Sequence, residues 1–139
     1  MLFLFSVLIF SNVISQSKKE VNLHLISKKN FIGSPIRFQY VEVAQYDIPK
    51  KCTYDEALRL VKTIGNNWRL PTKEELLKMF EKRDLIKNFE WGEYYLSNEV
   101  YGKNLIYTVE FADGKLEKGW KYFNGNEIYY NVRLIRTIK

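Results

Sequence analysis

Chemistry in this chain must start from scarce parts. Cys52 is the single cysteine and His24 the single histidine of 139 residues. One thiol cannot close an intrachain disulfide, one Cys and one His cannot build a zinc cage, and a Cys–His dyad would need these two to meet. Lys50 and Lys51 precede Cys52 and would lower its pKa, but a small, inert, partly buried thiol is the favoured reading. His24 lies in a Lys- and Ser-rich stretch without a partner, so neither catalysis nor metal binding is assigned to it. The adjacent acids Asp55/Glu56 and Glu74/Glu75 point apart on a helix and make poor general acid/base partners. In the first turn of a helix they are favoured by the macrodipole instead. Arg69, Arg133 and Arg136 offer an anion site. The favoured alternative pairs Arg69 and one of the other two with helix or strand acids. No catalytic residue, metal ligand or cofactor is assigned, and an enzyme is disfavoured.

Aromatic residues are the compositional outlier, with ten Tyr, nine Phe and three Trp. They crowd the C-terminal portion, where Lys118, Trp120, Lys121, Tyr122, Asn124, Asn126, Tyr129 and Tyr130 surround Asn124-Gly125. Tyr and Trp give rigid contact area at low entropy cost, and amides beside them adapt their hydrogen bonds. Rings with neighbouring amides also suit sugar faces and hydroxyls. These eight residues form the candidate ligand-binding set, although alternate members of the stretch must pack the core.

The elements that position this set follow from pattern. A chain of this length carries one domain. Residues 1–17 hold no charged side chain. The apolar run Leu2 to Phe10 is too short for a membrane span, which needs about 20 residues. It has the length of a signal-peptide core, with Val13 and Ser15 at the −3 and −1 positions of a cleavage site. The expected division is a signal peptide at 1–15, a basic linker at 16–32 and a domain at 33–139. Four lysines (Lys18, Lys19, Lys28 and Lys29) against Glu20 precede Gly33, so half of the net charge of +6 lies ahead of the domain. That distribution gives little support to nucleic-acid binding by the domain itself.

Within the domain, Ile36 to Ala44 alternates as one strand. Thr53-Tyr54-Asp55-Glu56 and Thr72-Lys73-Glu74-Glu75 are capping boxes that open two short helices. Tyr54, Ala57, Leu58 and Val61 form the inner face of the first, which Gly65 ends. Leu76, Leu77, Met79 and Phe80 form that of the second. Asp55/Arg59 and Glu74/Lys78 are spaced for i,i+4 pairs. Strands follow at Tyr94–Ser97, Leu105–Phe111, Lys115–Phe123 and Ile128–Ile138, with hairpin turns at Asp113-Gly114 and Asn124-Gly125. One strand, two helices and a run of strands reads as α+β.

Between the helices runs Gly65-Asn66-Asn67-Trp68-Arg69-Leu70-Pro71-Thr72-Lys73-Glu74-Glu75-Leu76. This stretch closely resembles the signature of the Legionella collagen-like protein C-terminal domain family. Ile32 to Ile36 and Glu42 to Asp47 resemble the family's opening strand. Tyr95-Leu96-Ser97-Asn98-Glu99 stands at its Tyr-Trp-Ser-Ser-Thr-Glu block, with Leu96 in place of the Trp. Val132-Arg133-Leu134-Ile135-Arg136 is similar to its closing strand. Many members carry a cysteine in the first helix and another in the closing strand, where this chain has Val61 and Leu134. The resemblance spans Ile32 to Arg136 and implies a C-type-lectin-like fold: two short helices flank a mostly antiparallel twisted sheet whose first and last strands pair. It further implies a bacterial, adhesin-like setting, since the family's named member binds sulfated glycosaminoglycans. Calcium motifs of true lectins, Glu-Pro-Asn or Trp-Asn-Asp, are absent, so calcium-dependent sugar binding is disfavoured.

The expectation is an exported, non-catalytic recognition domain in a secreted, periplasmic or cell-surface location. It would bind a glycan or partner protein through the aromatic C-terminal region, without nucleic acid, and meet a membrane only through its export signal. The alternative is an accessory structural component of a bacterial envelope complex with no ligand of its own.

Overall fold

The computed structural model describes residues 28–139. The apolar run, the cleavage site after Ser15, His24 and the linker up to residue 27 lie outside the described residues. The chain enters through helix α1 (Lys28–Ile32). Phe31 on that helix is buried in the core, and the carbonyls of Phe31 and Ile32 accept from Tyr46 and Gln45 N–H at 2.9 Å. Packing therefore begins ahead of Gly33, inside the stretch expected to be linker.

The expected single strand Ile36–Ala44 is a hairpin. Strand β1 (Ile36–Phe38) pairs antiparallel with β2 (Val41–Val43), with Ile36 opposite Val43. Gln39 takes φ 53° at the turn. A period of two is the same on both arms of a hairpin, and Gln39-Tyr40 carries none of the Asn-Gly chemistry that marks a turn. On its other side β2 pairs antiparallel with the last strand, β8 (Ile135–Thr137), Glu42 opposite Arg136. Both ends of the domain thus meet in one sheet of order β1-β2-β8.

Helices α2 (Tyr54–Ile64) and α3 (Lys73–Glu81) start at Thr53 and Thr72, and both capping boxes are complete. Helix α4 (Arg83–Ile86) follows directly. The inner face of α2 is Tyr54, Ala57, Leu60 and Ile64, with Leu58 and Val61 only half-buried. Neither expected i,i+4 pair forms. Asp55 accepts instead from the Tyr122 hydroxyl at 3.1 Å, and Glu74 pairs with its neighbour Lys73 at 3.1 Å. Exposed helix pairs contribute only a few tenths of a kcal/mol, so tertiary partners readily displace them.

A second antiparallel sheet holds β3 (Tyr94–Tyr101), β4 (Leu105–Glu110) and β5 (Leu116–Trp120), with β4 central. A bulge shifts the β3–β4 register between Leu96 and Val100. Strands β6 (Tyr122–Phe123) and β7 (Asn126–Glu127) form a small hairpin. Its turn has Asn124 at φ 50° and Gly125 at φ 77°, the left-handed pair that Asn-Gly tolerates. The Asp113-Gly114 connection is wider than two residues: Gly114 N–H donates to Glu110 C=O at 2.9 Å, and the Phe80 ring occupies the space a side chain at Gly114 would need.

The expected strand Ile128–Ile138 is regular only at Ile135–Thr137. Residues 130–135 are all buried, and they run between the two sheets, making single bridges Cys52↔Tyr130 and Tyr95↔Asn131 in place of a ladder. Tyr130, Val132 and Leu134 enter one apolar cluster with α2, Trp68, Leu70, Leu96 and Ile106. Ile135 enters the other, with α3, Val41, Val43, Tyr95, Val109 and Phe111. Four helices and antiparallel sheets make the described part an α+β domain.

Candidate functional site

Register decides which side chains share a face. Across β3, β4 and β5 the rows Tyr101–Leu105–Trp120 and Tyr107–Lys118 stand opposite one another, as do Tyr95, Val109 and Leu116. Opposite residues project from the same side of a sheet. At the Val109 end this side is closed by Leu76 and Met79 of α3. At the Trp120 end no element among the described residues covers it. Tyr101, Trp120 and Phe123 remain 46–50% exposed there.

The rings and charges on this open end are mutually braced. Lys118 Nζ stands 3.6 Å from the Tyr101 ring centroid, and Tyr101 meets Tyr107 edge-on at 5.8 Å. Lys73 Nζ lies 5.0 Å from the Tyr107 ring and pairs with Glu99 at 2.7 Å, and the Glu99 and Glu74 carboxylates raise its pKa. Trp120 and Phe123 approach to 5.8 Å. The opposite side of β5 sits on the core, where Gly119 leaves room for Tyr130; an added Cβ would lie 2.5 Å from the Tyr130 hydroxyl.

The structure divides the eight expected site residues into three groups. Lys118 and Trp120 stand on the open sheet end. Lys121, Tyr122, Asn124, Asn126 and Tyr129 lie beside it, toward the start of α2 or on the exposed β6–β7 hairpin. Lys121 Nζ is 4.5 Å from the Tyr54 ring, the Tyr122 hydroxyl donates to Asp55, and that of Tyr129 donates to Glu127 at 3.4 Å. Tyr130 belongs elsewhere. It is buried, and its hydroxyl donates to Trp120 C=O at 2.8 Å, so it supports the strand from behind and does not face outward. Tyr101, Tyr107 and the Lys73–Glu99 pair were not among the expected residues. The alternation that places Tyr107 with Val109 was a visible signal, but only the register sets it beside Lys118. The bulge that carries β3 as far as Tyr101 has no signature in the sequence.

All three arginines are engaged. Arg69 forms a two-pronged pair with Glu75 at 2.7 and 2.8 Å. Arg136 and Arg37 both bond to Glu42, whose pKa they lower. Arg133 is fully buried. Its Nε donates to Asp47 at 2.6 Å, and its remaining nitrogens donate to the carbonyls of Ala44, Gln45, Lys87 and Asn88. Tyr95 donates to the other Asp47 oxygen at 2.5 Å. Burial raises the Asp47 pKa against the pull of Arg133. These are structural pairs, and no common anion site is formed.

Cys52 is buried, and its thiol donates to Lys50 C=O at 3.3 Å. Loss of solvent, followed by the Glu56 carboxylate, pushes its pKa up to about 11 despite Lys50. The expected lowering by the two lysines is thus overturned: burial outweighs Lys50, and Lys51 pairs with Glu93. Among the described residues no group of three or more His, Cys, Asp or Glu side chains is placed to hold a metal. No family model and no curated protein matches the chain.

Proposed function

We propose that this protein is an exported, non-catalytic recognition module of the C-type-lectin-like class, which binds a glycan through the open aromatic end of its second sheet. One observation carries the reading. Exposed Tyr101, Lys118, Trp120 and Phe123 and half-buried Tyr107 are presented together on paired strands and braced by cation–π and edge contacts. Flat rings stack on the apolar faces of sugar rings, while Lys118, Glu99 and the Asn124–Asn126 turn can bond hydroxyls. Rings fixed in place lose little freedom on binding.

The fold assignment has its own support. The β2–β8 pairing joins the two ends of the domain, and two capped helices flank the sheets. Val61 and Leu134, standing where the resembling family carries paired cysteines, pack in one apolar cluster. The non-catalytic reading is supported by an inert Cys52 and by arginines already committed to acids. Export rests on the apolar segment at 2–10, and no described helix is long and apolar enough to cross a membrane.

The test is a glycan array and an envelope-extract pull-down with the wild-type chain and a Trp120→Ala variant of unchanged circular dichroism. The reading expects a defined glycan class that the variant fails to retain. Capture of a protein in place of any glycan would move the ligand class. No ligand of either kind would favour the accessory envelope role.

A further inference from the structure

We propose that the Asn124-Gly125 turn is a site of spontaneous covalent modification: the Gly125 backbone nitrogen closes on the Asn124 carboxamide, and water opens the cyclic imide to aspartyl and isoaspartyl products. The reaction needs no partner but water, and it does not depend on what the aromatic sheet end binds.

The chemistry balances within the turn. The Gly125 nitrogen forms a bond to Asn124 Cγ, its proton leaves with the side-chain nitrogen as ammonia, and a five-membered imide remains. Water then breaks one of the two ring C–N bonds. Opening at Cγ restores the main chain with aspartate at position 124. Opening at the backbone carbonyl carbon routes the chain through the side chain, which leaves an isoaspartyl link with one extra main-chain atom.

The fold leaves both reacting groups free here. The Asn124 carboxamide makes no hydrogen bond among the described residues; only its backbone carbonyl is used, accepting from Asn126 Nδ2 at 3.4 Å. The Gly125 N–H has no acceptor among the described residues either. Both residues are exposed, and nothing stands within 4 Å of where a Cβ on Gly125 would lie. The hairpin that carries the turn has two residue pairs, Tyr122↔Glu127 and Phe123↔Asn126. Swinging the Gly125 nitrogen onto Cγ therefore opens little structure.

Asp113-Gly114 has the same spacing and the opposite environment. The Asp113 carboxylate accepts from Lys115 N–H at 2.9 Å, Gly114 N–H donates to Glu110 C=O at 2.9 Å, and the Phe80 ring packs against Gly114. A carboxylate is also a poorer electrophile than a carboxamide. Asn66 and Asn67 share the left-handed backbone of Asn124, but the nitrogens that follow them belong to Asn67 and Trp68, whose side chains hinder attack. The Asn104 carboxamide is tied to the N–H and C=O of Tyr122 at 3.2 and 2.8 Å.

Either product puts a carboxylate where an amide stood, and the isoaspartyl link no longer fits a two-residue turn. The change acts on Phe123, whose ring lies 5.8 Å from that of Trp120. The covalent state of the turn thereby reaches the exposed aromatic surface.

Incubation of the folded chain at pH 8, followed by peptide mapping and enzymatic methylation of isoaspartyl carboxylates, tests this. A synthetic peptide spanning Lys121 to Ile128 is the reference. Conversion should be confined to Asn124, with ammonia released in equal amount. Its rate should lie within about tenfold of the peptide's, equivalent to an opening cost of no more than about 1.4 kcal/mol. Asn126, equally exposed but followed by Glu127, should persist. Lowering the pH to 7 should slow conversion about tenfold, because the attacking nitrogen must lose its proton. Gly125→Ala should slow it by a similar factor. The proposal is overturned if Asn124 persists in the folded chain while the peptide converts. It is equally overturned if Asp113 or another asparagine converts as fast, or if Gly125→Ala leaves the rate unchanged.

Discussion

Buried Arg133 shows how little of a side chain's role its neighbours in sequence reveal. Its acid, Asp47, is 86 residues away, and four of its bonds go to backbone carbonyls. No spacing rule could select it over Arg136, which lies half-buried on Glu42. Cys52 teaches the same lesson with the sign reversed. The adjacent lysines suggest an acidic thiol, but burial outweighs them and holds the pKa at about 11. Only the thiolate reacts at a useful rate. Folded protein at pH 8 should therefore resist iodoacetamide, and labelling should follow unfolding in urea. Rapid alkylation of the native chain, followed by intact mass, would contradict the placement of Cys52. The candidate ligand residues were legible by type more than by position. Seven of the eight are surface residues or half-buried beside the site, and Tyr130 is the one turned inward.

Both helices could be read from the chain because a capping box is local: four consecutive residues bond one another. The β1–β2 hairpin could not, because a period of two does not tell one strand from two, nor could the broken last strand, whose partners are distant. Gly119 matters for a similar reason. It lets Tyr130 reach Trp120 C=O, and thereby sets the height of β5. Gly119→Ala should cost about 1–3 kcal/mol by overpacking in urea denaturation. Adding Tyr130→Phe, which removes the nearest clashing atom, should cost less than the two single changes summed; strict additivity would contradict the contact. The sheet of β1, β2 and β8 also carries a pH signature. Hydrogen bonds from Arg37 and Arg136 lower the pKa of Glu42, and Arg69 lowers that of Glu75 against the effect of burial. A lowered folded pKa means that this stability is complete above the unfolded value, near 4.5, and is lost as pH falls through the folded one. Asp47 shifts the other way, so variants must be compared. Between pH 6 and 3, the Tm of Glu42→Gln and Glu75→Gln should fall less steeply than that of wild type. Parallel curves would contradict the pairing.

Among the described residues, the domain joins its two ends in one sheet and leaves one end of the other open. One face of that second sheet is closed at one end by α3 and left uncovered at the other by the described residues, so an aromatic surface stands clear of the core. The excess of Tyr, Phe and Trp in the composition pointed toward this surface, whereas the net charge of +6 did not, since half of it precedes Gly33. What composition could not supply was the choice of Tyr101 and Tyr107 as partners of Trp120, which depends on register across three strands. Replacing Trp120 by Ala should cost at least 2 kcal/mol of binding, the loss typical of a central aromatic anchor, with Tm unchanged within about 2 °C because the ring is half exposed. The most direct measurement is the footprint, on the isotopically labelled chain, of a glycan retained on the array. Saturable amide shifts should cluster at Tyr101, Leu105, Tyr107, Lys118, Trp120 and Phe123. A footprint confined to any other face, or one that survives Trp120→Ala, would contradict recognition through the open end of the sheet.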